Sequence, residues 1–343
     1  MPQKVLLLTK NYPPQIGGIE KYSYDLYYKL VQNWNQVKII AAWPRNEWIL
    51  AKTWTGSSLI RISWKLCYII SELWRFSFFA TRCLTIGLFY SYISGIVWSL
   101  DGSIAPLGFF LGKMTNTKTR VTIHGTDIVW NRMFYQALVP IIIAKMDEVY
   151  VVSENTRQEC LRRWIPVSRI TLVPHTPDTI TFTNPGEFDK NIFLKSLWIE
   201  KLGAKIILFS IGRWIERKWF HWFLENVMPA LDPEKFHYIL AGFGPYESVY
   251  KKIILDKWLH NVFILWKVDN PTEKAKLYTV ANVFIMPNIF TEGNIEGYPL
   301  VLMEAKYYWL RTCIGHVQGA DNDVNSFFGE NDVGKWIDYF QEM

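Results

Sequence analysis

Cysteine is sparse: Cys67, Cys83, Cys160 and Cys313 are the only four in 343 residues, and no two share a paired spacing. That excludes a disulfide framework or a zinc-ligand pattern and suits a reducing compartment. The chain also lacks the G-x-G-x-x-G spacing of nicotinamide and flavin dinucleotide sites, a P-loop, a nucleophile elbow and any RNA-binding signature. The apolar run Val5-Leu6-Leu7-Leu8 is too short for a signal-peptide core. Neither sign of charge dominates. Lys and Arg number 37 against 31 Asp and Glu, a net +6, which fits an anionic small ligand or membrane surface and is too weak alone to argue nucleic acid. With 50% apolar and 20% charged residues the chain is not disordered, and its length predicts two domains.

What is present is an alternating pattern. Lys4–Leu8 reads as a buried strand and Asn11–Gly18 as a turn-rich loop. Ile19, Tyr22, Leu26 and Leu30 then recur at helical spacing before a strand at Val37–Ile40. Strand, helix, strand is a βαβ unit and predicts an α/β fold with a parallel sheet. Further strands are predicted at Arg120–Ile123, Glu148–Val152 and Ile170–Val173. A second series follows at Lys205–Ile211, Phe236–Ala241, Asn261–Leu265, Val283–Pro287 and Arg311–Ile314. Pro177, Pro185 and Gly186 break the pattern, which predicts domains at 1–176 and 204–343 joined by a linker at 177–203. Cys83–Leu100 carries no charge over the roughly 18 residues a membrane span needs. Gly87, Ser91, Ser94, Gly95 and Ser99 interrupt it, so it reads as a buried helix followed by a strand. The basic amphipathic stretch before it, with Lys65, Arg75 and Arg82, is the candidate for peripheral membrane contact.

Ligands of open parallel sheets bind beyond the carboxyl ends of strands, and the chemically distinctive residues gather there. Gly17-Gly18 opens the first helix, where backbone approach and helix-end N–H groups favour an anion; a tight turn explains the pair equally well. His124-Gly125-Thr126-Asp127 follows a strand. Its imidazole can touch a reacting group, with Asp127 to orient or charge the ring, or it is a structural histidine. Gly212-Arg213 ends another strand and Glu216-Arg217-Lys218 leads into a helix. Arg213 and Lys218 suit a diphosphate, with Arg217 on a solvated face. Gly242-Phe243-Gly244-Pro245 is a further close-approach loop or a plain turn. Glu304 stands inside the apolar helical run Leu300–Ala305, downstream of Glu296. A buried carboxylate needs hydroxyl or cation partners, which a ribose diol or a structural ion pair would supply. Asp321-Asn322-Asp323 has a metal-holding form but reads as a polar turn.

In this order the residues resemble a GT-B glycosyltransferase, specifically the retaining, sugar-nucleotide-dependent family four. The resemblance runs over nearly the whole chain. It is carried by Tyr12-Pro13-Pro14 with Gly17–Glu20, His124–Asp127, Gly212-Arg213 with Arg217-Lys218, Gly242–Pro245, Met286-Pro287-Asn288 and Glu296 to Glu304. It implies two Rossmann-like parallel-sheet domains facing a cleft, the first on the acceptor side and the second binding the nucleotide sugar. Against the family pattern the C-terminal end is expected to be truncated at Met343, without the family's last helices. By the same resemblance the donor meets Gly17, Gly18, Arg213, Lys218, Gly242, Gly244, Asn288, Leu300 and Glu304, with Glu304 on the ribose. His124, Asp127 and Glu296 take the catalytic roles, Glu296 on hydroxyls of the transferred sugar. No metal or cofactor is implied. The donor substrate is a nucleotide diphosphate sugar and the acceptor a glycan, lipid-linked or small molecule. The setting implied is cytoplasmic, at the inner face of the membrane, in envelope polysaccharide or glycolipid synthesis, without nucleic acid. Pro299 stands where many relatives have glycine. A catalytically inactive GT-B scaffold and a sugar-nucleotide epimerase are the alternatives.

Tryptophan departs furthest from the family pattern, at 17 residues against 20 glycines. The family follows Lys218 with glycine where this chain has Trp219, and Trp34, Trp164, Trp198, Trp258, Trp266 and Trp309 show the same exchange. These positions are expected to need the positive φ or close approach that glycine supplies. Trp222, by contrast, fits an amphipathic helix.

Overall fold

The computed structural model describes residues 3–13, 17–33, 36–42, 59–62, 84–173, 182–199, 205–289, 299–315, 326–328 and 332–343. The chain divides near residue 182 into two compact units, each built on one parallel sheet.

The first sheet comprises β1 (Lys4–Thr9), β2 (Gln36–Ala42), β3 (Leu59–Ile62), β4 (Ile96–Ser99), β5 (Lys118–Ile123), β6 (Glu148–Val151) and β7 (Ile170–Leu172). Its order is β3-β2-β1-β4-β5-β6-β7, every pair parallel. Strands covered on both faces need continuous apolar runs, which is why Val5-Leu6-Leu7-Leu8 is unbroken. Leu6 and Leu8 join Ile40 and Val97 in one core, while Val5 and Leu7 join Val37, Ile39 and Trp98 in the other.

The second sheet comprises β8 (Ile206–Arg213), β9 (Phe236–Phe243), β10 (Val262–Trp266), β11 (Val283–Met286), β12 (Arg311–Ile314) and β13 (Ser326–Phe328). They lie in the order β10-β9-β8-β11-β12-β13, again all parallel. Leu208 and Leu240 face a core with Trp214, Phe223 and Trp336. Phe209 and Ile239 face the opposite core with Leu302 and Ala305. The helix Val333–Gln341 supplies Trp336 and Phe340, both fully buried. Strand order reverses between β1 and β4 in one sheet and between β8 and β11 in the other. Each reversal is a topological switch point, where such sheets take their ligands.

The predicted strands are all present, and Cys83–Leu100 resolves into a helix at 84–92 followed by β4. β3 and β13 were not anticipated. Part of the expected linker folds with the second unit. Asp189 caps the helix Lys190–Ser196 by accepting from the Ile192 N–H at 2.9 Å, and Leu194 and Ile199 enter that unit's core. Apolar side chains that can be buried draw those residues out of a linker. Trp34, the stretch 64–82, Glu296 and Asp321–Asp323 lie outside the described residues. No described helix is long and apolar enough to cross a membrane.

Four helices end alike: Glu154–Arg162, Lys190–Ser196, Glu247–Asp256 and Leu300–Tyr307. Each is followed by one capping residue and then by a tryptophan in the left-handed region, Trp164 (φ 60), Trp198 (φ 61), Trp258 (φ 54) and Trp309 (φ 61). A non-glycine residue in that region costs roughly 1–2 kcal/mol. Trp219, between the 3-10 turn Glu216–Lys218 and the next helical stretch, has φ 54 and ψ 22. Trp266 ends β10 outside the left-handed region, so positive φ is not what its position demands.

Candidate functional site

In the first unit, the ends of β4 and β5 meet at His124. After β5, Gly125 takes φ 106 and ψ −77, a conformation open to glycine, and turns the chain into the short helix Thr126–Val129. Asp127 folds back over that turn. Its Oδ1 accepts from the His124 backbone N–H at 2.8 Å and its Oδ2 from the Gly102 N–H at 2.8 Å. Burial pushes this carboxyl up, opposed by the His124 imidazole and those two N–H donors. The carboxylate therefore holds the loop through its backbone, the His124 N–H included. The Leu100 carbonyl lies 2.9 Å from His124 Nε2, and a carbonyl only accepts, so Nε2 carries the proton. The Tyr22 ring meets the imidazole edge-on at 4.8 Å. Tyr22 sits on the helix Gly18–Gln32 opened by Gly17-Gly18, so that loop and the histidine belong to one cluster. Gly17 is extended (φ 169) and caps the helix with no side-chain bond.

Sequence reasoning missed Asp101 at the end of β4. It is fully buried, accepts from the Ser103 N–H at 2.9 Å, and lies 3.9 Å from Lys10 Nζ. The signal available was a lone acid immediately after a buried strand.

In the second unit the distinctive residues gather at the switch point. Arg213 ends β8 and is exposed, whereas Lys218 is buried with its Cε 3.7 Å from where a Cβ on Gly212 would stand. Lys218 thus lies across the glycine at the end of β8. Arg217 is 5% exposed, which corrects its assignment to a solvated face. Its carbonyl accepts from the Ile289 N–H at 3.1 Å and ties the cationic turn to the loop after β11. That loop holds Asn288, fully buried. Across it, a Cβ on Gly315 would come within 2.5 Å of the Pro287 carbonyl oxygen, a constraint sequence reasoning did not find.

Gly242 (φ 145) and Gly244 (φ 153) are explained by packing. A Cβ on Gly242 would meet the Gly212 carbonyl oxygen at 1.9 Å, and one on Gly244 the Trp214 carbonyl oxygen at 2.5 Å. They press the loop after β9 against the end of β8. Glu304 is buried on the helix that begins at Leu300, and it has both kinds of partner its burial demands. Lys274 Nζ lies 2.6 Å from it and the Tyr278 hydroxyl donates at 2.8 Å. Burial and the Glu304 carboxylate together hold the Tyr278 hydroxyl far above its ordinary titration range. The structural ion pair is therefore real, and sequence reasoning had not identified its members Lys274 and Tyr278.

Comparison with known proteins agrees with this organisation. Residues 196–321, almost all within the second unit, match the family model described as glycosyl transferases group 1. WcaL of Salmonella typhimurium strain LT2, named for colanic acid biosynthesis as a glycosyltransferase, is 30% identical over 105 residues. That match spans 30% of this chain and only 26% of the relative's length. The catalytic domain of starch synthase IV from Arabidopsis thaliana, bound to ADP and acarbose, superposes with a TM-score of 0.75 at 16% identity. The alignment covers 100% of this chain and 91% of that one. HepE of Anabaena in complex with UDP-glucose gives 0.71 at 13% identity, covering 99% and 89%. The two parallel-sheet units match those of GT-B glycosyltransferase structures.

Proposed function

We propose that this chain is a retaining glycosyltransferase that moves a hexose from a nucleotide diphosphate sugar to a glycan, lipid-linked or small acceptor in envelope polysaccharide or glycolipid synthesis. The observation that carries the reading is the placing of Arg213, buried Arg217 and Lys218, and buried Asn288 on the loops after β8 and β11, with Lys218 across Gly212, at the switch point of the unit that matches the group 1 model. Arg213 and Lys218 neutralise the departing diphosphate, so the reaction needs no metal. The reading assigns Glu304 to the ribose, Glu296 to the transferred sugar, and Gly17, Gly18, Gly242, Gly244 and Leu300 to the donor's surroundings. His124 orients the donor sugar, and Asp127 positions His124. UDP- and UDP-glucose-bound structural neighbours support a nucleotide-sugar partner.

The same reading puts the chain at the inner face of the membrane. The stretch expected to dock there is outside the described residues, but a different face supports the contact. On the helix Met133–Ile143, Met133, Phe134, Leu138 and Ile141 are exposed, and on the neighbouring helix Ala105–Thr115 so are Phe110 and Met114. Lys113, Arg132 and Lys145 are exposed on or beside these helices, a composition suited to an anionic bilayer. Sedimentation with phosphatidylglycerol but not phosphatidylcholine vesicles, lost on Phe134→Ser with Leu138→Ser, is the expected result.

A thermal-shift screen of GDP- and UDP-sugars identifies the donor, and NMR of the product anomer reads retention. A donor that binds but is neither transferred nor hydrolysed would turn the reading to an inactive scaffold; epimerised donor would turn it to an epimerase.

A further inference from the structure

We infer that Trp164, Trp198, Trp219, Trp258 and Trp309 occupy glycine positions, and that the polypeptide made in the source cell carries glycine at all five. Hydrogen bonding defines four of these positions. The N–H groups of Trp164 and Ile165 donate to the Leu161 and Cys160 carbonyls, and those of Trp198 and Ile199 to Lys195 and Leu194. The N–H groups of Trp258 and Leu259 donate to Leu255 and Ile254, and those of Trp309 and Leu310 to Lys306 and Ala305. This is the paired five-to-two and six-to-one bonding of a Schellman cap, whose left-handed residue is ordinarily glycine because a side chain there is crowded by its own backbone. The residue after each tryptophan is an apolar one buried against the helix, which completes the motif. At the fifth, the Trp219 N–H donates to the Glu216 carbonyl at 2.8 Å and closes the turn that carries Arg217 and Lys218.

The side chains add nothing that offsets the strain at the four caps. Trp164, Trp198, Trp258 and Trp309 are 90%, 86%, 85% and 94% exposed. Trp98, Trp214 and Trp336 behave as tryptophan should, buried in cores, and none of them has positive φ. Among the described tryptophans, Trp98, Trp214 and Trp336 are packed and these five stand at left-handed turns, while Trp130, Trp222 and Trp266 belong to neither group. Independent substitution does not put the bulkiest residue at one backbone state repeatedly. A single reading rule does: UGA is tryptophan in one genetic code and glycine in another, so one code assignment exchanges every such position in the same direction.

Two measurements decide it. Codons of the gene and peptide masses of the protein from its native host should give UGA and glycine at the five positions, with UGG and tryptophan at Trp98, Trp214 and Trp336. UGG codons or tryptophan masses at the five overturn the inference. Recombinant chains test the backbone argument separately. The combined Trp→Gly variant should melt on the order of 10 °C above the chain as written, after allowing for glycine's greater freedom when unfolded. The matching Trp→Leu set keeps the strain and should not show that rise. A Trp→Gly set no more stable than the Trp→Leu set overturns the inference as well. Trp336→Gly, a packed control, should lower the melting temperature.

Discussion

The two switch points share a topology and differ in charge. Beside the first, after β4 and β5, the groups are carboxylates, buried Asp101 and half-buried Asp127, satisfied largely by backbone N–H groups. At the second, between β8 and β11, they are cations, with Arg217 and Lys218 buried and Arg213 exposed beside them. Sheet topology fixes where a ligand can sit; local residues fix the sign it must have. The second arrangement suits an anionic group better than the first, which is why the proposed reading gives the donor's diphosphate to the second unit. His124, held over a carboxylate-braced turn, suits neutral hydroxyl chemistry.

The largest effects should come from erasing the cationic side of this contrast. Arg213→Ala and Lys218→Ala are each expected to lower kcat/KM for transfer about 10²–10³-fold, with circular dichroism unchanged. Lys218 should be the more sensitive, because its buried ammonium lies across Gly212. Near-normal turnover in both variants would remove the basis for the contrast. On the carboxylate side the expected loss is in stability first. Asp127→Ala leaves the His124 and Gly102 N–H groups without their acceptor, at a cost of about 2 kcal/mol in urea unfolding. Asp127→Asn keeps one acceptor oxygen and should lose less. Equal losses would mean the carboxylate acts by charge. Next is Glu304→Gln, expected to weaken both nucleoside diphosphate and nucleotide sugar about tenfold, roughly 1.4 kcal/mol by calorimetry. Unchanged affinity with reduced stability would restrict Glu304 to its ion pair with Lys274.

Much of this contrast is legible in the sequence, for a physical reason. Buried parallel strands must be apolar throughout, so Val5–Leu8 and Ile206–Ile211 announce themselves, and loops at their ends stand out by glycine and charge. What cannot be read is pairing at long range. Glu304 visibly needs a partner, but nothing local identifies Lys274 and Tyr278, about one helix and one strand away in sequence. Arg217 looks like a solvated charge because burial of a cation depends on which loop folds over it, here the one at Ile289. The tryptophans could be marked as standing where glycine's positive φ or close approach is needed, without saying which. Their backbone state required the folded chain.

The smallest expected effect separates the two units by pH. His237, on β9, is buried beside Phe263, and its Nε2 accepts from Lys205 Nζ at 3.0 Å. Burial, then the Lys205 charge, press its pKa from 6.5 down to about 4, with Glu234 opposing and His260 adding slightly. It stays neutral in the fold, while the unfolded chain binds a proton near 6.5. Between those values the unfolded state holds more protons, so the second unit's stability is complete above pH 6.5 and falls as pH drops toward 4. The first unit runs on a different scale. Glu148 and Asp147 are partly buried, but Lys118, Tyr150 and Arg120 around the first, and Thr119, Lys113 and Arg169 around the second, hold both carboxyls below their ordinary values. Their stabilisation is present above the ordinary carboxylate range and is lost only as pH falls through the lowered values. Asp127, raised by burial, has the opposite sign: it protonates more readily in the fold, favours the folded state as acid is added, and so does not loosen the first unit in mild acid either. Mild acid should therefore loosen the second unit first, by a few degrees of melting temperature, read unit by unit through hydrogen exchange and mass spectrometry. His237→Gln should reduce the second unit's response between pH 6.5 and 4, leaving the part due to His221, which burial also lowers, and leave the first unit's unchanged. If the first unit loosens earlier in that window, the acid sensitivity lies in the carboxylate-braced side and the ordering drawn here is reversed.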